Sequence, residues 1–135
     1  MIYHSIRASR RPGVSDEQIR VALDQWHKMA KEIPVIESYC IGRDVGGNFE
    51  YGAVFVLKDI AAYEEFIMHP AGRETDLIGL PLLQGIVALD ITDDDDPEIA
   101  GKIDDVNRRR YERDPDILEL LTNMAEFSGT GVDPV

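Results

Sequence analysis

Residues 35–57, VIESYCIGRDVGGNFEYGAVFVL, decide the fold. The run 35–45 reads as a strand, and Gly46-Gly47-Asn48 forms a hairpin turn that tolerates positive φ. The run 49–57 is the returning strand, with Phe49, Tyr51, Ala53, Phe55 and Leu57 on one side. Upstream, Pro34 stops a helix in which Ile19, Ala22, Leu23, Trp26, Met29, Ala30 and Ile33 recur at helical spacing. Ser15 caps its start and Gln18 reaches back, a capping box. Before Arg11-Pro12-Gly13 lies an alternating strand over 2–8: Ile2, His4, Ile6 and Ala8 on one side, Tyr3, Ser5 and Arg7 on the other. Downstream, Asp59 caps a helix carrying Ile60, Tyr63, Phe66 and Ile67, and His69-Pro70 breaks it. A short helix over 71–80 and a strand over 82–91 follow. The order β-α-β-β-α-β is the α+β, ferredoxin-like arrangement. Its helices cover one sheet face, so the bare face predicts a homodimer.

Composition narrows the partners. The 135 residues carry 26 acidic and 14 basic side chains, a net charge of −12, with 44% hydrophobic residues. Such acidity argues against nucleic acid or an anionic membrane as partner, since both select clustered Lys and Arg. No run approaches the roughly 18 apolar residues of a membrane span. The chain reads from Met1 straight into a strand, without the pattern of a signal peptide. The single cysteine, Cys40, leaves no internal disulfide and suits a cytoplasmic location.

The acidity is uneven, with net −4 over residues 1–92 and net −8 over 93–135, beginning at Asp93-Asp94-Asp95-Asp96. This break predicts a domain over 1–92 and an acidic helical extension over 93–135. Two helices are expected in the extension, over 97–113 and 116–127, with a loose end from Ser128. The helices should pack on a partner subunit or over the mouth of a cavity.

Five short patterns carry a family resemblance: His4 in the first strand, Ile33-Pro34, Gly42-Arg43-Asp44-Val45, Phe49-Glu50-Tyr51, and Tyr63-Glu64-Glu65-Phe66-Ile67-Met68-His69-Pro70-Ala71. Over roughly 1–92 the chain resembles the stress-responsive dimeric α/β barrel (Dabb) family. The resemblance implies two sheets packed into a barrel across a homodimer, with a small cavity between sheet and helices in each subunit. The family includes a plant polyketide cyclase whose acid/base pair is a Tyr and a His. Their positions, matched through Met68-His69-Pro70-Ala71, fall on Phe66 and Gly72 here. Neither side chain can move a proton, so that mechanism is unavailable from those positions.

The remaining candidates are His4 as general base and Tyr51 as proton donor or oxyanion partner, with a packed, satisfied core residue as the alternative for each. Ile6, Leu23, Trp26, Ala53, Phe66 and Thr75 are candidate ligand-binding residues, Trp26 also reading as core. His69 reads first as a helix-end residue bonding a free carbonyl and second as a ligand contact. Asp76 and Arg73 reach a polar ligand at the mouth or face water. Asn107-Arg108-Arg109-Arg110 reads as a basic cluster paired with Asp104, Asp105, Glu112 or Asp114, with a phosphate or carboxylate site as the alternative. No His spacing fits a helical zinc site and no axial haem ligand is evident, so no metal or cofactor is expected. The function expected is a cyclase- or isomerase-type enzyme acting through an enolate on a small hydrophobic or aromatic ligand. A non-catalytic stress-responsive or ligand-binding protein and a cofactor-independent monooxygenase are the alternatives.

Overall fold

Ser15 accepts the Gln18 N–H and Gln18 returns a bond to the Ser15 backbone, which starts α1 (Asp16–Glu32). The computed structural model describes residues 1–132. In chain order the elements are β1 (Ile2–Arg10), α1, β2 (Ile36–Arg43), β3 (Tyr51–Leu57), α2 (Ile60–Met68), α3 (Pro70–Gly79), β4 (Leu83–Thr92), α4 (Ile99–Arg113), α5 (Pro115–Thr122) and β5 (Glu126–Gly129). The five strands form one sheet in the order β2-β3-β1-β4-β5, a ferredoxin-like α+β fold with an added edge. All pairs are antiparallel except β4 with β5.

Register assigns the faces. His4 lies opposite Phe55 on β3 and Asp90 on β4, and Ile6 lies opposite Ala53 and Ala88. Successive side chains alternate across a sheet. Ile2, His4, Ala53, Phe55 and Leu57 are accordingly buried beneath the helices. The other face carries Val54, Leu89 and Ile91, which are exposed, Ile91 at 69%.

The hairpin departs from its expected geometry. The strands stop at Arg43 and resume at Tyr51, so residues 44–50 form a longer loop. Asp44 N–H bonds the Glu50 carbonyl at 2.9 Å. Arg7 holds the Asp44 carboxylate with two bonds of 2.6 and 2.7 Å and covers the Phe49 ring. Phe49 is thereby drawn out of the strand. Gly46 supplies the positive φ, at 101°.

The acidic segment packs onto the core. α4 lies against α2, and α5 against α3. Ile99, Ile103, Val106, Tyr111, Ile117, Leu121 and Met124 join the same buried cluster as Phe55 and Tyr63. Beyond α5 the sequence expectation fails: the helix ends at Thr122, and residues 126–129 are a strand rather than helix and loose end. The reason is tertiary. The outer edge of β4 presents unpaired backbone groups, and Glu126–Gly129 runs beside Gly85 to Ala88 and satisfies them. Gly131 then turns back with φ 82°, where a Cβ would stand 2.6 Å from the Asn107 Cβ. Only glycine fits against α4 there. The last three residues of the expected loose end lie outside the described residues.

Ile117 has no exposed surface. Ile117→Ala is expected to cost about 2–5 kcal/mol and to lower one shared unfolding transition in a urea melt. Loss of α5 alone, with the sheet melting as before, would count against a common core.

Candidate functional site

The site begins with a cross-strand pair. His4 and Asp90 stand directly opposite on β1 and β4, on the helix-covered face. Directly opposed side chains approach closely, and His4 Nδ1 lies 2.7 Å from Asp90 Oδ1. The Asp90 side chain is 3% exposed. Its second oxygen accepts the Tyr63 hydroxyl of α2 at 2.8 Å. That hydroxyl accepts from Asn107 Nδ2 of α4 at 2.8 Å, and the same nitrogen donates to the Ile103 carbonyl at 2.9 Å. Four elements thus converge on one buried carboxylate.

The electrostatics follow from these bonds. Burial pushes the Asp90 carboxyl upward, but the hydrogen bond and charge of His4, with the hydroxyls of Thr130 and Tyr63, outweigh it and hold the group below its ordinary value. Tyr63 is driven far above the usual phenol range by burial and by the Asp90 charge, so it remains a donor. In the neutral imidazole, the Nδ1 contact with Asp90 makes Nδ1 the donor and leaves the lone pair on Nε2. Among the described residues Nε2 has no hydrogen-bond partner.

His4 lines a cavity of about 70 Å³ with Ile6, Trp26, Met29, Phe66, Ile67, Gly72, Thr75, Asp76 and Arg110. That volume suits a few non-hydrogen atoms and lies well below the roughly 300–1,000 Å³ of a drug-sized pocket. Phe66 and Gly72, the positions matched to the cyclase pair, both stand in this wall. A side chain at residue 72 would meet only the Phe66 carbonyl, at 4.0 Å. The ionisable groups lie elsewhere. Asp76 follows Gly72 by one turn on the same face of α3, and its carboxylate bonds Arg110 Nη2 of α4. Burial raises the Asp76 carboxyl despite the opposing pull of Arg110. The Asp76 side chain keeps 28% of its surface open, and Asp76 is part of the cavity wall. Arg110 is 10% exposed; its Nε is sealed without a hydrogen bond, 3.4 Å from Asp114.

The other sequence candidates divide. Ile6, Trp26, Phe66 and Thr75 line the His4 cavity, Thr75 with its hydroxyl donated to the Ala71 carbonyl at 2.8 Å. Leu23 and Tyr51 line a separate cavity of about 20 Å³, with Trp26 shared between the two. Tyr51 stands opposite Ala8, whereas His4 stands opposite Phe55. That is roughly 13 Å along the sheet, so the two expected partners do not meet. Ala53 is core, 4% exposed, outside both cavities. His69 accepts the Ala71 N–H at 3.1 Å and caps the start of α3. It is an acceptor at a helix N-terminus, not a donor to a free carbonyl, because Pro70 starts a new helix immediately. Arg73 bonds Asp116 at 3.0 and 2.7 Å, away from the cavity. Arg108 and Arg109 pair with Asp104 and Asp105 within α4, as the spacing predicts, and Arg109 also with Glu64. Asp90, Tyr63, Asn107 and Arg110 escaped sequence reasoning as site residues; one signal for Asp90 was a carboxylate at the inward parity of a strand.

Residues 2–93 match the family described as Stress responsive A/B Barrel Domain, Dabb. No curated protein matches the sequence at a significant level. Among solved structures, a dimeric ferredoxin-like protein of unknown function from Thermobifida fusca aligns with TM-score 0.62 and 24% identity, over 67% of this chain and 89% of that one. An Arabidopsis thaliana protein aligns with TM-score 0.62 and 23% identity, over 71% and 98%. Hydroxynitrile lyase from Passiflora edulis aligns with TM-score 0.62 and 17% identity, over 70% and 94%. Such identities establish a common fold.

Because Asp90 is depressed in the folded state, the stability it contributes is present above the unfolded carboxyl value of about 3.9 and is lost as pH falls through the lower folded value. The stability gap between wild type and Asp90→Asn should therefore widen from pH 2 to 5 and stay level above. A gap independent of pH in chemical denaturation would contradict the ionised pair.

Proposed function

The chain belongs to the stress responsive A/B barrel domain family, and from that premise we propose a homodimeric enzyme that moves a proton on a small, partly apolar carbonyl compound. His4 is the general base. It takes a proton from the carbon beside the carbonyl through Nε2, and the enolate so formed goes on to isomerise or cyclise. One observation carries this reading: Nδ1 is held by a buried carboxylate while Nε2, without a partner, belongs to a residue of the cavity wall. A carboxylate that fixes the tautomer and orientation of a histidine is the arrangement general-base chemistry uses. Trp26, Phe66, Met29 and Ile6 supply the apolar wall.

The volume, about 70 Å³, favours a compact substrate over an extended polyketide. It also favours a second reading, a binder without turnover, and one experiment separates the two. Hydroxyacetone in D₂O reports proton abstraction as loss of its α-proton NMR signals. The wild type should accelerate this exchange, and His4→Ala should lose about 10²–10⁴-fold of the acceleration. Tyr51→Phe should stay within about twofold, since Tyr51 lines the other cavity. Equal rates for wild type and His4→Ala would sink the catalytic reading. Acetone cyanohydrin is a second small probe, suggested by the lyase that shares the fold.

Dimerisation is supported by the bare sheet face and by neighbours described as dimeric. Leu89 and Ile91, 47% and 69% exposed, stand on that face beside Val54. Ile91→Glu with Leu89→Glu should halve the mass seen by sedimentation equilibrium. An unchanged mass would place the interface elsewhere. Among the described residues no helix is long and apolar enough to cross a membrane. The single cysteine supports a reducing, cytoplasmic setting.

A further inference from the structure

The cavity wall holds one cation, Arg110, which lies beyond the family-matched residues 2–93. Its guanidinium is only partly used. Nη2 donates to Asp76 and Nε is sealed beside Asp114. Nη1 has no hydrogen-bond partner among the described residues, and it is not among the atoms sealed from solvent. A side chain nine-tenths buried, held by a carboxylate on each of two sides, keeps its planar fork fixed. That leaves the Nη1 N–H pair unpaired on a side chain that shares the cavity wall with His4.

We propose that Arg110 is a further catalytic residue of this site: its free Nη1 N–H pair binds the substrate carbonyl oxygen and stabilises the negative charge that forms there. The inference rests on the proton-transfer reading of His4. As Nε2 takes the α-proton, the C–H electron pair becomes the new C=C bond and the carbonyl π pair moves to oxygen, where Arg110 meets it. The proton on Nε2 exchanges with solvent before His4 returns one to carbon, so in D₂O a deuteron is delivered and no oxidant is consumed. Asp76 and Asp114 are positioning residues that fix the guanidinium. The cavity volume of about 70 Å³ limits the substrate to a few heavy atoms. A neutral carbonyl compound of a few heavy atoms, such as a hydroxyketone, acquires charge only at the transition state, where Arg110 is strongest.

Two measurements on the full chain test this: hydroxyacetone α-proton exchange, and binding of acetohydroxamate, a neutral planar analogue of the enediol, followed by calorimetry. Arg110→Lys keeps a charge for Asp76 and loses the fork. Arg110→Met removes the charge, and Arg110→Met with Asp76→Asn also removes the orphaned carboxylate, should the single change unfold the protein. Exchange should fall about 10²–10³-fold in the Met variants and at least about tenfold in Arg110→Lys, and acetohydroxamate affinity should drop about tenfold or more. Exchange that requires His4 yet stays within twofold in every Arg110 variant overturns the role of Arg110 and leaves His4 as base. No exchange in the wild type, but analogue binding that requires Arg110, removes the proton-transfer reading and keeps Arg110 as the carbonyl-binding group. Absence of both exchange and binding overturns the two together.

Discussion

A carboxylate with 3% of its side chain exposed, set into the middle of a sheet, is the constraint on which much of this molecule depends. Removing Asp90 from water is tolerable only if each oxygen finds donors. His4 and Tyr63 provide them. Each donor comes from a different part of the chain. Asn107 in turn fixes the Tyr63 hydroxyl, so α2 and α4 are both oriented by one charge in β4. The same bonds that satisfy the charge leave one imidazole nitrogen free at a cavity.

The acidic extension takes its importance from the few contacts it makes inward rather than from its charge. Its exposed pairs, Asp96 with Lys102, Asp104 with Arg108 and Asp105 with Arg109, are ordinary surface interactions worth little in stability. The buried contacts are different in kind. Arg110 enters the cavity wall, Asn107 completes the Asp90 network, and Gly131 permits the chain to close against α4. β5 covers the edge of β4 with backbone bonds. A chain ending near residue 93 would expose that edge and leave the Tyr63–Asp90 pair without its outer partner.

The wall of the cavity differs from the cyclase pattern at the two matched positions. The two positions matched to the cyclase acid/base pair are still in place, but as Phe66 and Gly72 they supply surface and space. Ionisable groups stand one helical turn beyond Gly72, at Asp76, and on a helix outside the family-matched segment, at Arg110. The His4 side of the cavity retains its imidazole.

Local sequence was sufficient wherever structure is set by near neighbours. The alternation of Ile2 to Ala8, the Ser15 capping box, the Asp59 cap and the His69-Pro70 break each report a short-range preference, and each recurs in the elements observed. Parity grouped His4 with the apolar residues of its strand, and the bare face of the sheet followed from the order of the elements. What could not be read was any relation that depends on register or on packing between distant elements. Tyr51 and His4 share a parity, but only the β1–β3 register puts them four places apart along the sheet. Residues 126–129 carry no strong strand pattern and became a strand because β4 offered an edge. Asp90 looked like one acid among 26, and Arg110 like one arginine in a surface run. Sequence by itself determined the elements of residues 1–92 and which way their strand side chains face, because those are local energies. Tertiary structure decided which charged groups meet out of water, because the large cost of burying a charge is settled only by whatever partner the fold brings to it.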